Sequence, residues 1–189
     1  MRVTGLVLAG GYSTRMGSDK SELKLPDGRT LLQRQVDVLL QSGVDEVLVS
    51  RRGDQPAVGV PARVVVDEVR DRGPLAGIAA GLNAISEGVL VVLAVDIPFI
   101  SVEALQAMIA LATDDRGVVP HRGNSIECLV GVYPKSLAKI AAARVAEGKL
   151  RVREFAAWAE ENGHAVPWEI PERLIPEFKN WNKPEDVQR

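Results

Sequence analysis

The apolar run VLVVLAV, residues Val89–Val95, constrains the fold of this chain more than any other feature. It holds no polar side chain, which is typical of a strand that is buried on both faces of a sheet. Shorter apolar runs occur on either side of it, and amphipathic helical patterns separate them. Alternating strands and helices predict a mostly parallel sheet that is covered by helices on both faces. The other predicted strands are Val3–Leu8, Val47–Ser50, Arg63–Val66, Gly117–Pro120, Ile126–Tyr133 and Ala165–Trp168.

Capping residues mark the starts of two predicted helices. Thr30 precedes an apolar stripe that Gly43 ends, and Ser101 precedes a helix that runs through Leu111. Hydroxyl side chains favour the N-cap because they accept a hydrogen bond from a free backbone N–H group. The remaining predicted helices are Pro74–Ser86, Lys135–Glu147 and Leu150–Asn162.

Composition excludes several classes of protein. A chain of 189 residues suits one domain, so we predict a single domain over residues 1–189. The formal net charge of -2 gives no reason to expect a nucleic acid or an anionic membrane as partner. The single cysteine, Cys128, excludes an intrachain disulfide and is consistent with a reducing cytoplasm. Since no apolar run is long enough for a signal peptide or a bilayer span, we predict a soluble cytoplasmic protein.

The first strand is followed by a glycine-rich loop with fixed positive charge, LAGGYSTRMGSDK. Gly10 and Gly11 let backbone N–H groups approach a ligand closely, and successive amides of this kind form an anion cradle. Arg15 adds a planar donor fork and Lys20 a compact charge. The spacing fits neither the P-loop nor the G-x-G-x-x-G fingerprint. The loop therefore predicts an anion site, and the competing interpretation is an ordinary turn with surface charges.

Two carboxylates follow predicted strands and are candidate ligands of a metal ion. Asp96 comes directly after the most apolar strand, where a carboxylate is costly unless it is paired or metal-bound. Mg²⁺ bound by one or two carboxylates together with substrate phosphates is a common arrangement. Asp67 follows the third strand, where capping a turn is an equally simple role. The GPLAG segment, Gly73–Gly77, is predicted to expose helix N–H groups to an anion, to pack closely against the sheet, or to do both.

The candidate nucleophiles and bases form no catalytic set. His121 and His164 belong to no recognisable triad, and His164 is predicted to have a structural role. Cys128 is predicted to be a buried small hydrophobic residue. A phosphate monoester can itself act as the nucleophile without a protein base, because it is already largely dianionic at neutral pH. Its attack on the α-phosphorus of a nucleoside triphosphate requires positioning and charge neutralisation, which Arg15, Lys20 and a metal ion supply.

Five motifs in matching order resemble the molybdenum cofactor guanylyltransferases, members of the nucleotidyltransferase superfamily. They are LAGG-x₃-RMG-x-DK, the Asp67…GPLAG unit, VDIPF, IECLVGVY and F-x-N-x-N-x-PED, and together they cover nearly the whole chain. The resemblance implies a three-layer, Rossmann-like α/β nucleotidyltransferase domain. It implies transfer of GMP from GTP to Mo-molybdopterin, with release of pyrophosphate and with Mg²⁺ as cofactor. Transient contact with cofactor-delivery proteins or molybdoenzymes is a further implied partnership.

The resemblance also implies roles for individual residues. In the family, the LAG backbone and the lysine of the DK pair contact GTP, the aspartate before GPLAG lines the GTP site, and the aspartate of the fourth strand binds Mg²⁺. The acceptor is thought to approach the two asparagines near the end of the chain. The corresponding residues here are Leu8, Ala9, Gly10, Lys20, Asp67 and Asp96, and Asn180 and Asn182 on the acceptor side.

The segment after the second strand departs from the family pattern. Relatives place an asparagine there that contacts GTP, whereas this chain has Ser50-Arg51-Arg52-Gly53, with Arg52 as the nearest match. Arg52 is predicted to contact the nucleotide, and the alternative is a solvated surface charge. Rival functions are a cytidylyltransferase acting on the same pterin, a sugar-phosphate nucleotidyltransferase, and a nucleotide-binding accessory protein without catalysis. Gly10-Gly11 favours guanine over cytosine, because the sister family tends to carry LAAG.

Overall fold

A computed structural model describes residues 1–9, 20–52, 59–67 and 73–181, and the side chains of Arg52 and Asp67 lie outside this description. The strands are β1 (Val3–Leu8), β2 (Glu46–Arg52), β3 (Arg63–Asp67), β4 (Val89–Ala94), β5 (Gly117–Arg122), β6 (Ser125–Ile126), β7 (Val130–Pro134) and β8 (Ala165–Glu169). The α-helices are α1 (Leu31–Gln41), α2 (Gly73–Ala84), α3 (Val102–Leu111), α4 (Ala138–Ala146) and α5 (Val152–Glu161). Short 3₁₀ segments occupy Lys20–Glu22, Lys135–Leu137 and Glu172–Phe178.

One sheet joins these strands in the order β3-β2-β1-β4-β7-β5-β6, and β8 pairs with β5. The strands β3, β2, β1 and β4 are parallel neighbours, whereas β7 runs antiparallel to β4 and β5. The predicted mostly parallel α/β sheet is therefore confirmed. Because the carboxyl ends of β1, β2 and β4 lie at the same edge, the segments that follow these strands are brought close together.

The sheet is buried on both faces, which explains its continuous apolar strands. Val7 and Val49 face a cluster that includes residues of α1 and α3, while Leu6 and Leu48 face a cluster built with α2, α4 and α5. Alternate residues of one strand thus pack into different layers, as the two-residue period of a strand requires. The three-layer architecture follows from this packing.

Both predicted helix caps are confirmed. The Thr30 side chain accepts a hydrogen bond from the N–H of Gln33, and the Gln33 side chain accepts one from the N–H of Thr30. The Ser101 hydroxyl accepts a bond from the N–H of Ala104. Gly43, with φ of +91°, follows the end of α1 in the left-handed conformation that glycine adopts most easily.

The predicted strand Ile126–Tyr133 is wrong as one element. The structure has the two-residue β6 at Ser125–Ile126 and a separate β7 at Val130–Pro134. A turn at Cys128 and Leu129 separates them, and the N–H of Val130 donates to the Glu127 carbonyl across it. Among the described residues, no helix has both the length and the apolar character needed to cross a bilayer.

Candidate active site

Lys20 and Asp96 form the centre of the candidate site. The Lys20 Nζ lies 3.4 Å from the Asp96 Oδ2, and both side chains keep about a fifth of their surface accessible, at 20% and 23%. Lys20 begins the 3₁₀ segment after the glycine-rich loop, and Asp96 lies two residues after β4. The structure therefore brings together a cation and a carboxylate that the sequence assigned to one anion and metal site.

Gln35 of α1 stabilises the turn that carries Asp96. The Gln35 side chain is fully buried. Its Nε2 donates to the carbonyl of Ala94 at 2.9 Å and to that of Ile97 at 2.8 Å. The N–H of Val95 donates to the Leu8 carbonyl at 3.2 Å, which ties the same turn to the end of β1. These bonds satisfy buried carbonyls and fix the backbone on both sides of Asp96.

Gln35 was not predicted as a site residue, although the sequence contained a signal. It is the polar member of the buried stripe of α1, next to Val36 and one helical turn from Leu31, Leu32 and Leu39. A glutamine in such a stripe is costly to bury unless its amide is hydrogen-bonded. Its position therefore indicates partners in the layer beneath the helix.

Trp181, the last described residue, contacts both Lys20 and Asp96. Its carbonyl accepts a hydrogen bond from the Lys20 Nζ at 2.9 Å, and its N–H donates to the Asp96 carbonyl at 2.8 Å. The indole is 4% exposed and meets the Phe99 ring edge to face, with 5.3 Å between the ring centroids. Trp181 was also missed from the sequence, where only the asparagines beside it were selected.

Arg51 is the arginine of the strand-two segment whose side chain the structure describes. The Arg51 side chain is 1% exposed, and its Nη2 donates to the Ser21 Oγ at 2.7 Å. The carboxylate of Glu22 lies 3.6 Å away. The backbone of Arg52 pairs with that of Asp67 at the ends of β2 and β3. The nucleotide contacts assigned to the side chains of Arg52 and Asp67 lie outside the described residues.

Leu8 and Ala9, which are predicted nucleotide contacts, lie at the same edge of the sheet as Asp96. The Leu8 carbonyl accepts from Val95, and the N–H of Ala9 donates to the Ser50 carbonyl at 3.1 Å. These two backbone groups therefore make hydrogen bonds that join neighbouring strand ends. The predicted residues Gly10, Gly11, Arg15 and Asn182 lie outside the described residues, whereas Asn180 is exposed directly beside Trp181.

The GPLAG segment packs closely against the sheet. A Cβ placed on Gly77 would lie 2.6 Å from the Ser50 Oγ and 2.9 Å from a methyl group of Leu8. The small residue at this position is therefore required by packing, which was the competing interpretation of the motif. Gly73 adopts a φ of +64° as the first residue of α2.

The remaining candidate nucleophiles and bases have structural partners. His164 stacks on Trp158, and the His121 Nε2 lies 2.8 Å from a carboxylate oxygen of Glu160. Cys128 is half-buried against the core, and burial raises the pKa of its thiol. Its carbonyl accepts a hydrogen bond from the hydroxyl of Tyr133, whose pKa burial also raises.

Comparison with known proteins gives consistent matches over nearly the full chain. The sequence model of the MobA-like NTP transferase domain matches residues 5–181. A probable molybdenum cofactor guanylyltransferase of Opitutus terrae is 35% identical over 99% of this chain and 94% of its own length.

Two solved structures share the fold. The molybdopterin-guanine dinucleotide biosynthesis protein A of Archaeoglobus fulgidus superposes with a TM-score of 0.75 at 24% identity, covering 98% of this chain and 95% of its own. A Mycobacterium tuberculosis H37Rv protein, solved as a complex with manganese, gives a TM-score of 0.59 at 20% identity, covering 90% of this chain and 89% of its own.

Proposed function

The chain belongs to the MobA-like NTP transferase family, and we propose that it transfers GMP from GTP to Mo-molybdopterin, with release of pyrophosphate. Membership in this family confirms the predicted nucleotidyltransferase class. The name of the Opitutus terrae relative, which aligns over nearly the whole chain, supports guanylyl transfer to the molybdenum cofactor. GTP and molybdopterin are accordingly the proposed substrates, and residues 1–189 the proposed single catalytic domain.

The observation that carries the proposal is the pairing of Lys20 with Asp96 at the carboxyl edge of the sheet. In parallel α/β sheets, ligands bind beyond this edge. A site for two anionic substrates needs fixed positive charge for the phosphates and a carboxylate for a metal ion. Lys20 supplies the positive charge and Asp96 the carboxylate, and the two side chains are in contact.

The proposed reaction joins a phosphate oxygen of the acceptor to the α-phosphorus of GTP. The bond between the α-phosphorus and the oxygen that bridges to the β-phosphate breaks, and pyrophosphate leaves with the electron pair. The acceptor phosphate is largely dianionic at neutral pH, so the protein need not remove a proton. The barrier is repulsion between anions, and Lys20 lowers it by stabilising the charge that develops on the leaving group.

Asp96 suits a divalent metal ion, and we propose Mg²⁺. Its carboxylate is partly accessible and keeps one oxygen outside the Lys20 contact. Substrate phosphates commonly complete the coordination of Mg²⁺ where the protein supplies one or two carboxylates, and we propose that they do so here. When bound, Mg²⁺ would supply charge neutralisation on the phosphates.

The remaining assignments extend this site on both sides. On the nucleotide side, Gly10, Gly11 and Arg15 would complete the phosphate cradle that Lys20 ends. On the acceptor side, the exposed amide of Asn180 lies next to Trp181, whose carbonyl bonds to Lys20. An amide can both donate to and accept from the edge of a pterin ring. Asn182 is proposed as a second acceptor contact.

Pyrophosphate release tests the proposal directly. The purified protein is incubated with molybdopterin and Mg²⁺, and with GTP, CTP, ATP or UTP in separate reactions. We expect release with GTP, with omission of molybdopterin or Mg²⁺ abolishing it. Preference for CTP would indicate the sister cytidylyltransferase, and no release with any nucleotide would contradict catalysis.

A further inference from the structure

The buried guanidinium of Arg51 has no role in the reaction proposed above, yet it lies close to the site. Arg51 is in β2, which lies between β1 and β3 in the sheet, and its side chain is 1% exposed. Burying a charged group is costly unless hydrogen bonds and opposite charge compensate it. A buried arginine at the carboxyl edge of a central strand therefore indicates a specific set of contacts.

Two of these contacts join Arg51 to the segment that carries Lys20. The Nη2 donates to the Ser21 Oγ at 2.7 Å, and the Glu22 carboxylate lies 3.6 Å from the same nitrogen. Ser21 is fully buried, whereas the carboxylate of Glu22 is 59% exposed. The short bond to Ser21 is therefore the firmer of the two contacts, because solvent screens the ion pair with Glu22.

Ser21 directly follows Lys20 in the same 3₁₀ segment. The Lys20 ammonium reaches from this segment to Asp96 and to the Trp181 carbonyl. The backbone of Lys20 is thus held through its neighbour by β2, and its side chain extends into the site. An ammonium on a flexible four-carbon stem needs such a fixed base if it is to meet a phosphate at a defined place.

We propose that Arg51 is a positioning residue, which anchors the Lys20–Glu22 segment to the sheet and so places the Lys20 ammonium at the nucleotide phosphates. This inference rests on the proposed function. The sequence predicts Arg52 in the strand-two segment as a nucleotide contact, whereas this inference assigns a positioning role to Arg51.

Lysine acetylation measures the position of Lys20 without any substrate. Wild type, Arg51→Met, Arg51→Lys and Ser21→Ala are labelled briefly with acetic anhydride, and labelling of each lysine is followed by mass spectrometry. Loss of a charged hydrogen bond predicts a rise of about tenfold in Lys20 labelling for Arg51→Met and Ser21→Ala. Arg51→Lys, which keeps the charge and a donor, is expected to recover part of the wild-type protection.

Lys135 provides the internal control, since its Nζ donates to the Leu82 carbonyl at 2.7 Å. General loosening of the fold would raise labelling of Lys135 as well, whereas the proposed role predicts no change there. Ser21→Ala removes only a hydroxyl, so it serves as the decisive variant if Arg51→Met does not fold. Unchanged labelling of Lys20 in both variants would overturn the inference.

A double-mutant cycle then tests whether Arg51 acts through Lys20. In steady-state pyrophosphate release, Arg51→Met is expected to raise the KM for GTP about tenfold and to leave the KM for molybdopterin unchanged. In the Lys20→Ala background, the same substitution should change the KM for GTP less than about twofold. An equal effect in both backgrounds would refute positioning through Lys20. Wild type inactive with every nucleotide would instead contradict the proposed function, and the labelling result would still decide the role of Arg51.

Discussion

The ammonium of Lys20 lies 3.4 Å from the carboxylate of Asp96, although 76 positions separate the two residues in the chain. This distance is long for a hydrogen bond between charged groups, so the contact is weak and can be exchanged. A metal ion at Asp96 and a phosphate at Lys20 would each replace one partner of the pair. The pair is therefore suited to hold the site in place before both ligands bind.

Asp96→Ala is expected to abolish turnover and to leave the protein folded. Loss of the proposed metal ligand would remove several kcal/mol of charge stabilisation, which corresponds to about a thousandfold in rate. The partly exposed ion pair contributes at most about 1 kcal/mol to stability. Pyrophosphate release and thermal unfolding measure the two effects. Asp115→Ala removes an exposed carboxylate and is the matched control, and turnover of Asp96→Ala close to that of the control would remove the metal assignment.

Lys20→Ala is expected chiefly to weaken GTP binding. Removing a charged hydrogen-bond donor costs about 1.5–3 kcal/mol, so the Kd for GTP should rise about 10- to 100-fold. Isothermal titration calorimetry with GTP and Mg²⁺ measures this change. Lys139→Ala removes an exposed lysine of α4 and should bind GTP as wild type does. Equal affinity in the two variants would show that Lys20 does not contact the phosphates.

Trp181→Ala should destabilise the protein more than Phe99→Ala, although the two rings are in contact. The Trp181 ring is 4% exposed, so its truncation removes core packing and should cost about 3–5 kcal/mol. The Phe99 ring is 44% exposed, and its truncation should cost about 1 kcal/mol through the lost aromatic pair. Urea unfolding of both variants gives the comparison. Similar losses would argue against burial of the Trp181 segment over the site.

Gly77→Ala should lower the free energy of unfolding by about 1–3 kcal/mol, because the new methyl group would overlap Ser50 and Leu8. Gly59→Ala is the matched control, since a Cβ at Gly59 meets no atom of the described residues within 4 Å. Its effect should stay within about 0.5 kcal/mol. Chemical denaturation measures both, and a neutral Gly77→Ala would show that α2 can move away from the sheet at no cost.

Because the hydroxyl of Tyr133 is buried, we expect the protein to lose stability in alkaline solution. Burial raises the pKa of its hydroxyl in the folded protein. The folded state therefore keeps a proton that the unfolded state releases above the usual tyrosine pKa of about 10. Its contribution is fully present below that pH and is lost at about 1.4 kcal/mol per pH unit as the pH rises toward the folded-state pKa.

Tyr133→Phe should flatten this alkaline loss, which urea unfolding between neutral and strongly alkaline pH would measure. At neutral pH the variant should lose about 1 kcal/mol, since the hydrogen bond to the Cys128 carbonyl is removed. An alkaline limb as steep as that of wild type would contradict the assignment to Tyr133.

Much of the fold could be predicted because local chemistry encodes it. The caps at Thr30 and Ser101 and the buried strand β4 follow from hydroxyl placement and from uninterrupted apolar residues. Strand direction is not encoded in this way. An apolar run such as that of β7 has the same pattern whether it pairs parallel or antiparallel, and the reversal became visible only through its register with β4.

The candidate site was predictable only in part, because charge type can be read from a sequence and side-chain direction cannot. Lys20 and Asp96 were found since each follows a predicted strand with unusual chemistry. Arg51 and Arg52 have the same side chain, and nothing in the sequence indicated that Arg51 would be buried in the fold. Trp181 acts through its backbone carbonyl and N–H, which every residue possesses, so its side chain gave no indication of the contact.

The hydrogen bond between Lys20 and the Trp181 carbonyl has a consequence for biosynthesis. Ribosomes make a chain from its amino end, so the sheet edge can begin to assemble while the segment that closes it is still untranslated. A nascent chain cannot complete the Lys20 contact until residue 181 has emerged from the exit tunnel. A chain that terminates just before residue 181 would therefore lack both the buried Trp181 ring and the carbonyl that accepts from the Lys20 ammonium.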